Sequence, residues 1–397
     1  MPRRTAALVA LSLLLTGCGA DGRVTLDFFQ FKPEATEVFD RIIAGFEREH
    51  PGIRVVQNHV PNAETAVRAR LVRGDVPDVL ALNGSSVFGE LARAGVFHDF
   101  SRHPAREAIN PAVQRILDDL GTHRPGEVNG LPFASNANGI IYNKSLFDAH
   151  GVRPPTSWPD LLTAARRFEA AGVTPFYLTL KDAWTALPTF NALAANLAPG
   201  DFFARRAAGR TSFGAAYGEV TARLAELYRY GQPDRFSRGY DEGNREFAQG
   251  RSAMYLQGSY AIPAIRKAGP RFEIGTFNPH DKLVAGVDVA ITMPREPRRP
   301  KEAALFVDYL MRPAVLRAYA REQVAVPPLR EATPDDPALQ GVMPFFAEGR
   351  LTGYPDHQIP LAVGLERIIQ QFLIDGDRRA FLAELDSEYD KVMERRS

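Results

Sequence analysis

From its first apolar segment onward the chain alternates two hydrophobic periods, and that alternation limits it to layered α/β architectures. Val24-Thr25-Leu26-Asp27-Phe28-Phe29 is the first segment with strand character. Val38, Phe39, Ile42, Ile43 and Phe46 then recur at helical spacing across residues 34–49, and Pro51-Gly52 stops that helix. Ile53-Arg54-Val55-Val56 reads as a second strand, residues 63–73 as a helix, 78–82 as an apolar strand and 87–94 as another helix. Strands that alternate with helices build sheets covered by helical layers, so the spacing predicts an α/β protein with a mainly parallel sheet.

The same alternation resumes further along. Gly139-Ile140-Ile141-Tyr142 reads as a strand. Ser157 precedes the next helical stretch with Asp160 three residues on, the pattern of an N-cap and its reciprocal partner. Gly172 closes that helix. Residues 174–180 are rich in aromatic and β-branched side chains and read as a strand. Residues 217–230 are helical, with Val220, Leu224 and Leu227 on one face. Residues 252–256 and 284–293 read as strands, 260–267 as a helix interrupted near Pro263, and 301–319 and 361–392 as helices. The proline-rich segments 294–300 and 326–337 are the linker candidates.

Ahead of the first strand lies a different kind of segment. Arg3 and Arg4 are followed by an apolar run from Ala6 to Leu15 and then by Thr16-Gly17-Cys18. A charged start, a short apolar core and small residues before a cut make a secretion signal. The run is too short to span a bilayer, which takes roughly 20 apolar residues. Leu15-Thr16-Gly17-Cys18 resembles the lipobox of bacterial lipoproteins, in which the cysteine is lipidated and becomes the first residue. Cys18 is the only cysteine, so its lipidation leaves no thiol for a disulfide, a redox couple or a nucleophile. On this reading residues 1–17 are a signal peptide and 18–23 a tether, and the protein is held at the outer face of the cytoplasmic membrane. The chain beyond Cys18 is too long for one small core and suits two domains.

Composition and motifs remove several classes of function. The formal net charge is +1, which gives no footing for nucleic acid or for binding an anionic membrane surface. There is no Gly-x-Ser-x-Gly elbow in strand–helix context, no phosphate loop, and no His/Cys metal spacing. His50, His98, His103 and His123 lie in polar or turn surroundings, as solvated histidines do. Asp182, Asp288 and Asp356 have the chemistry of a glycosidase's acid and base, but one sequence does not give their separation. These residues call for no cofactor and no metal, and they leave a glycosidase open.

Several stretches, in order, resemble one family. Phe46-Glu47-Arg48-Glu49-His50-Pro51-Gly52-Ile53 is similar to its first helix end and second strand, and Gly74-Asp75-Val76-Pro77-Asp78-Val79 to its GxxPDV turn. Glu90-Leu91-Ala92-Arg93-Ala94-Gly95 and Gly130-Leu131-Pro132 come next, then Ile141-Tyr142-Asn143-Lys144 with Leu146-Phe147. Pro155-Thr156-Ser157-Trp158-Pro159-Asp160-Leu161-Leu162, Phe247-Ala248-Gln249-Gly250-Arg251-Ser252-Ala253-Met254 and Gln257-Gly258-Ser259-Tyr260 complete the set. The chain thereby resembles the family 1 extracellular solute-binding proteins, the carbohydrate-binding group that includes maltose-binding protein. The resemblance implies an α/β, two-lobed periplasmic-binding-protein-like fold, with two α/β sandwich domains joined by a multi-crossing hinge. Crossings are expected near residues 134–138, 285–289 and 326–331, which gives one lobe from 24–134 and 287–328 and another from 135–286 and 329–397. It also implies a protein without catalytic residues, one that binds sugar in the cleft without reacting and hands it to the permease subunits of an ABC transporter; a monomer is expected.

A sugar presents flat C–H faces and a rim of hydroxyls, so its site needs aromatic planes and short polar side chains on loops between lobes. Trp184 suits stacking, and Asp182 suits accepting from adjacent hydroxyls, with Lys181 beside them. Tyr260 stands where relatives place a stacking aromatic, and Phe31 where they often touch ligand. Asn83 ends a strand and offers both donor and acceptor. Asn136 and Asn138 flank the first expected crossing and Asp288 sits at the second, where Ala285-Gly286 replaces the family's Gly-Gly. Tyr354 and His357 lie in a loop where some relatives supply an aromatic. The expected ligand is a di- to tetrasaccharide, since residues 174–184 resemble those of receptors for raffinose-type and isomaltose-type oligosaccharides. A receptor for glycerol phosphate, a polyamine or an amino acid, and a sugar sensor, are the alternatives.

Overall fold

A computed structural model describes residues 22–59, 63–332 and 336–395. The signal segment and Cys18 lie outside the described residues. Among the described residues ten strands fall into two sheets: β1 (Val24–Gln30), β2 (Ile53–His59), β3 (Val79–Leu82), β4 (Leu131–Ala137), β5 (Ile140–Asn143), β6 (Phe176–Tyr177), β7 (Met254–Tyr255), β8 (Ile274–Phe277), β9 (Leu283–Thr292) and β10 (Leu351–Thr352). The first sheet runs β10-β9-β3-β1-β2 with β4 also paired to β9, and the second runs β6-β7-β5-β8.

The expectation of a mainly parallel sheet needs correction. β1 is parallel to β2 and β3, β6 to β7, and β10 to β9. β9 is antiparallel to both β3 and β4, and β5 is antiparallel to both β7 and β8. Alternation implies parallel neighbours only while the chain stays in one sheet. Here it leaves the first sheet after β4, re-enters through β9 after β8, and so lays returning strands against outgoing ones. Those passages occur at residues 138–139 and 278–282.

Local chemistry sets the elements as their side chains require. Helix Thr36–Glu49 buries Val38, Phe39, Ile42, Ile43 and Phe46, the stripe that its spacing predicts. The Ser157 hydroxyl accepts the Asp160 N–H at the start of helix Trp158–Ala170 and donates to the Asp160 carboxylate at 2.7 Å. The helix expected over 301–319 is two, Pro300–Leu310 and Pro313–Gln323, because Pro313 lacks the N–H that would continue the first and sits well at the start of the second. The helix expected over 361–392 breaks at Gly376, whose φ of 74° caps Leu365–Asp375 before Arg378–Glu394 begins.

Three apolar clusters hold these layers. One packs Phe28, Phe39, Phe46, Phe133, Phe306 and Tyr319 under the first sheet. Another packs Phe147, Phe168, Phe190, Phe213 and Tyr217 around the second. The third joins Leu80, Leu117 and Val287 to Tyr255, Ile262 and Phe345, and so crosses from one sheet's side to the other. Burying each such ring contributes about 1.5–3 kcal/mol, so the seam is held by packing as well as by the strand pair β4–β9.

Candidate functional site

Two short strands of the second sheet bring the aromatic residues together. β6 and β7 are parallel neighbours, so the turns that leave them emerge side by side. The first turn becomes the 3-10 helix Ala183–Ala186 and carries Trp184; the second becomes Ser259–Ala261 and carries Tyr260. Their ring centroids are 6.4 Å apart. Gln257 ties the two turns, donating to the Thr185 carbonyl at 3.2 Å and accepting from the Tyr260 hydroxyl at 2.9 Å.

A third ring joins them that the sequence did not single out. Tyr240 opens helix Tyr240–Ala248, and its ring lies 4.9 Å from Trp184. Asp182 fixes that position: its Oδ2 accepts the Tyr240 main-chain N–H at 2.7 Å, a carboxylate at a helix N-terminus. Asp182 thus sets the aromatic wall in place. Trp184, Tyr240 and Tyr260 are all half-buried, while Lys181 is exposed at the rim. Burial pushes the Tyr240 phenol up to about 12, so it stays a neutral hydroxyl at physiological pH.

The first sheet supplies the polar side. Phe31 and Lys32 follow β1 and Asn83 follows the adjacent parallel β3. Phe31 packs against two of the clusters, at their seam. Asn83 is half-buried, next to Gly84, whose N–H donates to the Val287 carbonyl of β9 at 2.9 Å. Asp288, one residue on, is paired with the Lys32 ammonium at 2.5 Å, and their side chains are only 13% and 10% exposed. Burial works against the Lys32 charge, but Asp288 and then Glu34 outweigh it and hold the amine above its ordinary pKa. Nothing local in the sequence marks Lys32, whose partner lies 256 residues away.

The Tyr354 loop closes the floor. Tyr354 donates from its hydroxyl to Asn136 Oδ1 at 3.0 Å, and the same oxygen accepts the Gly286 N–H at 3.0 Å. A Cβ at position 286 would lie 2.6 Å from the Tyr354 ring, so glycine is what lets the ring rest on the strand pair. His357 sits 5.1 Å from the Tyr354 ring. Asn138 faces elsewhere in function, donating to the Pro188 carbonyl at 2.6 Å. Burial first, then Tyr260, Asp356 and Asp288, push the Tyr354 phenol well up, which places those four groups in one electrostatic neighbourhood. The two sides share one apolar cluster, against which Phe31, Tyr240 and Tyr260 all pack.

Rings on one side, and amides and an ion pair on the other, are the groups that a flat polar ligand needs. Among the described residues no group of His, Cys, Asp and Glu is arranged to hold a metal ion. None of their helices is long and apolar enough to cross a membrane.

The profile of one family, described as bacterial extracellular solute-binding protein, matches residues 32–316. The chain belongs to that family. This solute-binding protein is 29% identical over 332 residues to the multiple sugar-binding protein of Streptococcus mutans, across 78% of this chain and 77% of that one. It is 25% identical over 183 residues to the melibiose/raffinose/stachyose-binding protein MelE of Bacillus subtilis, across 43% and 41% of the two chains. Its fold superposes on apo RafE from Streptococcus pneumoniae with a TM-score of 0.81 at 25% identity, covering 94% of this chain and 99% of RafE. RafE in complex with raffinose superposes with a TM-score of 0.79 at 26% identity, covering 93% and 99%. The α/β, two-lobed fold that the resemblance implied is therefore the fold of this chain.

A second concavity of about 800 Å³ lies apart from this wall and is lined by Trp158, His280, Arg223 and Asn196. Trp158 and His280 stack at 6.3 Å, and the Arg223 guanidinium lies 5.2 Å over the indole. Burial, then the Arg223 charge, lower the His280 pKa from 6.5 to about 4. The unfolded chain therefore takes up this proton before the folded one does. Stability is lost as pH falls from 6.5 towards 4, by up to about 3 kcal/mol. The melting temperature of the wild type should fall more steeply over that window than that of His280→Gln; parallel curves would show that His280 does not titrate in this way.

Proposed function

We propose that this solute-binding protein is a lipid-anchored receptor that captures a di- to tetrasaccharide and delivers it to an ABC permease. The observation that carries the reading is the trio Trp184, Tyr240 and Tyr260, held as one wall by Asp182 and Gln257. Aromatic planes take the C–H faces of sugar rings, and the polar side with Asn83, Asn136 and the Lys32–Asp288 pair meets their hydroxyls. The multiple sugar-binding protein and RafE with raffinose, both related over most of their length, support a saccharide of this class.

In this reading the lobes are residues 24–134 with 287–328 and 135–286 with 329–397, and the paired strands β4 and β9 run from one lobe into the other as the hinge. Ligand bridging both sides shifts the population towards the closed form, which presents both lobes to the permease. The protein acts as a monomer and performs no chemistry on the sugar. A thermal-shift screen tests the ligand class, because a ligand that binds only the folded state raises its melting temperature. A shift with an amino acid, a polyamine or glycerol phosphate and with no saccharide would overturn the sugar reading.

The anchor is Cys18. One acyl chain holds a protein only marginally at a membrane, whereas two or more hold firmly. Cys18→Ala should release the protein from the membrane fraction with saccharide affinity unchanged. Membrane retention of that variant would contradict the anchor.

A further inference from the structure

A buried amide far from the aromatic wall has one valence unfilled. It belongs to helix Pro111–Asp118, which packs on β4, β9 and β10 and whose two ends hold segments of the other lobe. At the start, Asn110 donates from its side chain to the Phe346 carbonyl at 3.2 Å, and its main-chain N–H donates to the Pro328 carbonyl at 2.9 Å. Past the end, the Asp119 carbonyl accepts from Gln358 at 3.3 Å. Between them lies Gln114, only 7% exposed. Its Nε2 donates to Asp118 Oδ1 at 2.9 Å and to the Gly130 carbonyl at 3.1 Å. Its Oε1 is buried with no hydrogen-bond partner. Turning the amide over would aim that oxygen at two acceptors, so its orientation is fixed. A buried acceptor without a donor is costly and rare.

The carboxyl that Gln114 already touches can supply the donor. A carboxylate only accepts, whereas a carboxylic acid also donates, so a protonated Asp118 answers the amide with a second hydrogen bond. Asp118 is half-buried. Burial pushes its pKa from 3.8 up to about 6, against the Gln114 bond and the Arg106 charge and with the help of Asp119. The other ionisable groups nearby are engaged elsewhere. Arg106 donates to the Ser101 carbonyl, Arg93 to the Leu120 carbonyl, and Arg115 acts on Asp119. Asp288 of β9 is taken by Lys32; Arg350 is bound to Glu348, and His357 acts on Asp356.

We propose that Asp118 is a proton-sensing residue of the lobe seam, holding a proton that it donates to the otherwise orphaned Gln114 oxygen. With the proton in place the acid and the amide pair reciprocally, and the helix that ties the lobes is braced. Without it two acceptors face each other, and the end that carries the Asp119–Gln358 bond loosens. The sign follows from the raised pKa: the stability gained is fully present below 3.8 and lost as pH rises through about 6. His280 has the opposite sign, so each effect is read against its own variant. The proposal uses the lobe boundaries above and not the saccharide, so its failure leaves the sugar reading standing.

Asp118→Asn places a permanent donor where the proton would be. At pH 7.5 the ligand-free variant should melt about 2–4 °C above the wild type, the scale of one recovered hydrogen bond in a domain of ordinary size. The gap should close as the pH is lowered to 5, where the wild type carries its own proton. In a Gln114→Leu background the same substitution should bring no gain. Hydrogen exchange at pH 7.5 should be slower in Asp118→Asn across both 111–119 and 343–358. A melting temperature at or below the wild type's at pH 7.5, a gap that stays constant with pH, or a gain that survives Gln114→Leu would overturn the proton site. Slower exchange confined to 111–119 would overturn its reach into the other lobe.

Discussion

Lys32→Met should destabilise the ligand-free protein by about 3 kcal/mol at neutral pH. The substitution keeps most of the side chain's length and removes only the charge, so packing is nearly conserved. What it leaves is the Asp288 carboxylate, 13% exposed, without the ammonium that stands 2.5 Å from it. Removing one member of a buried pair costs more than the pair contributes, because the survivor stays desolvated and unmatched. The double variant Lys32→Met/Asp288→Asn should therefore recover much of the loss. Urea unfolding at pH 7 reads this directly as a shift in midpoint at constant slope. A single variant as stable as the wild type would mean that water reaches Asp288 and that the pair does not support the polar side of the site.

Trp184→Ala should weaken saccharide binding by about 1–3 kcal/mol, the scale for losing the burial of a large side chain, which is roughly 5- to 150-fold in affinity. The indole is half-buried, and Tyr240 and Tyr260 remain to cover the turn, so the fold should hold. Tyr260→Ala should act similarly through the ring. Tyr260→Phe keeps the ring but loses the bond to Gln257, so it should retain most of the affinity. Calorimetric affinities unchanged in both alanine variants would move the site away from this wall.

Much of this arrangement was legible in the sequence, for physical reasons that differ residue by residue. The helix that buries Phe46 and the Ser157 cap are local, set by side chains within a turn or two of one another. Trp184 and Tyr260 were legible because each follows an apolar strand and opens a helix, a position that faces a crevice. Tyr240 was not, since its approach to Trp184 depends on a main-chain bond to Asp182 across 58 residues. Lys32 was hidden in the same way, its partner being 256 residues off. Strand direction was also hidden, because alternating segments do not record when the chain changes sheets. Gly286 shows the opposite case. It is the glycine kept where Ala285 departs from the family's Gly-Gly, and its purpose is visible only once the Tyr354 ring lies across it.

Ligand is expected to meet the wall built on Trp184. The chain has two tryptophans, Trp158 and Trp184, and Trp158 belongs to the separate groove with His280. In Trp158→Phe the indole of Trp184 is the sole tryptophan emitter, and the replacement ring still packs against His280. Titrating that variant with raffinose while following tryptophan emission, alongside calorimetry, reports on this one side chain. An emission change that saturates with the calorimetric affinity is expected if ligand meets this wall. Calorimetric binding with constant emission, or no saccharide binding at all, would contradict it.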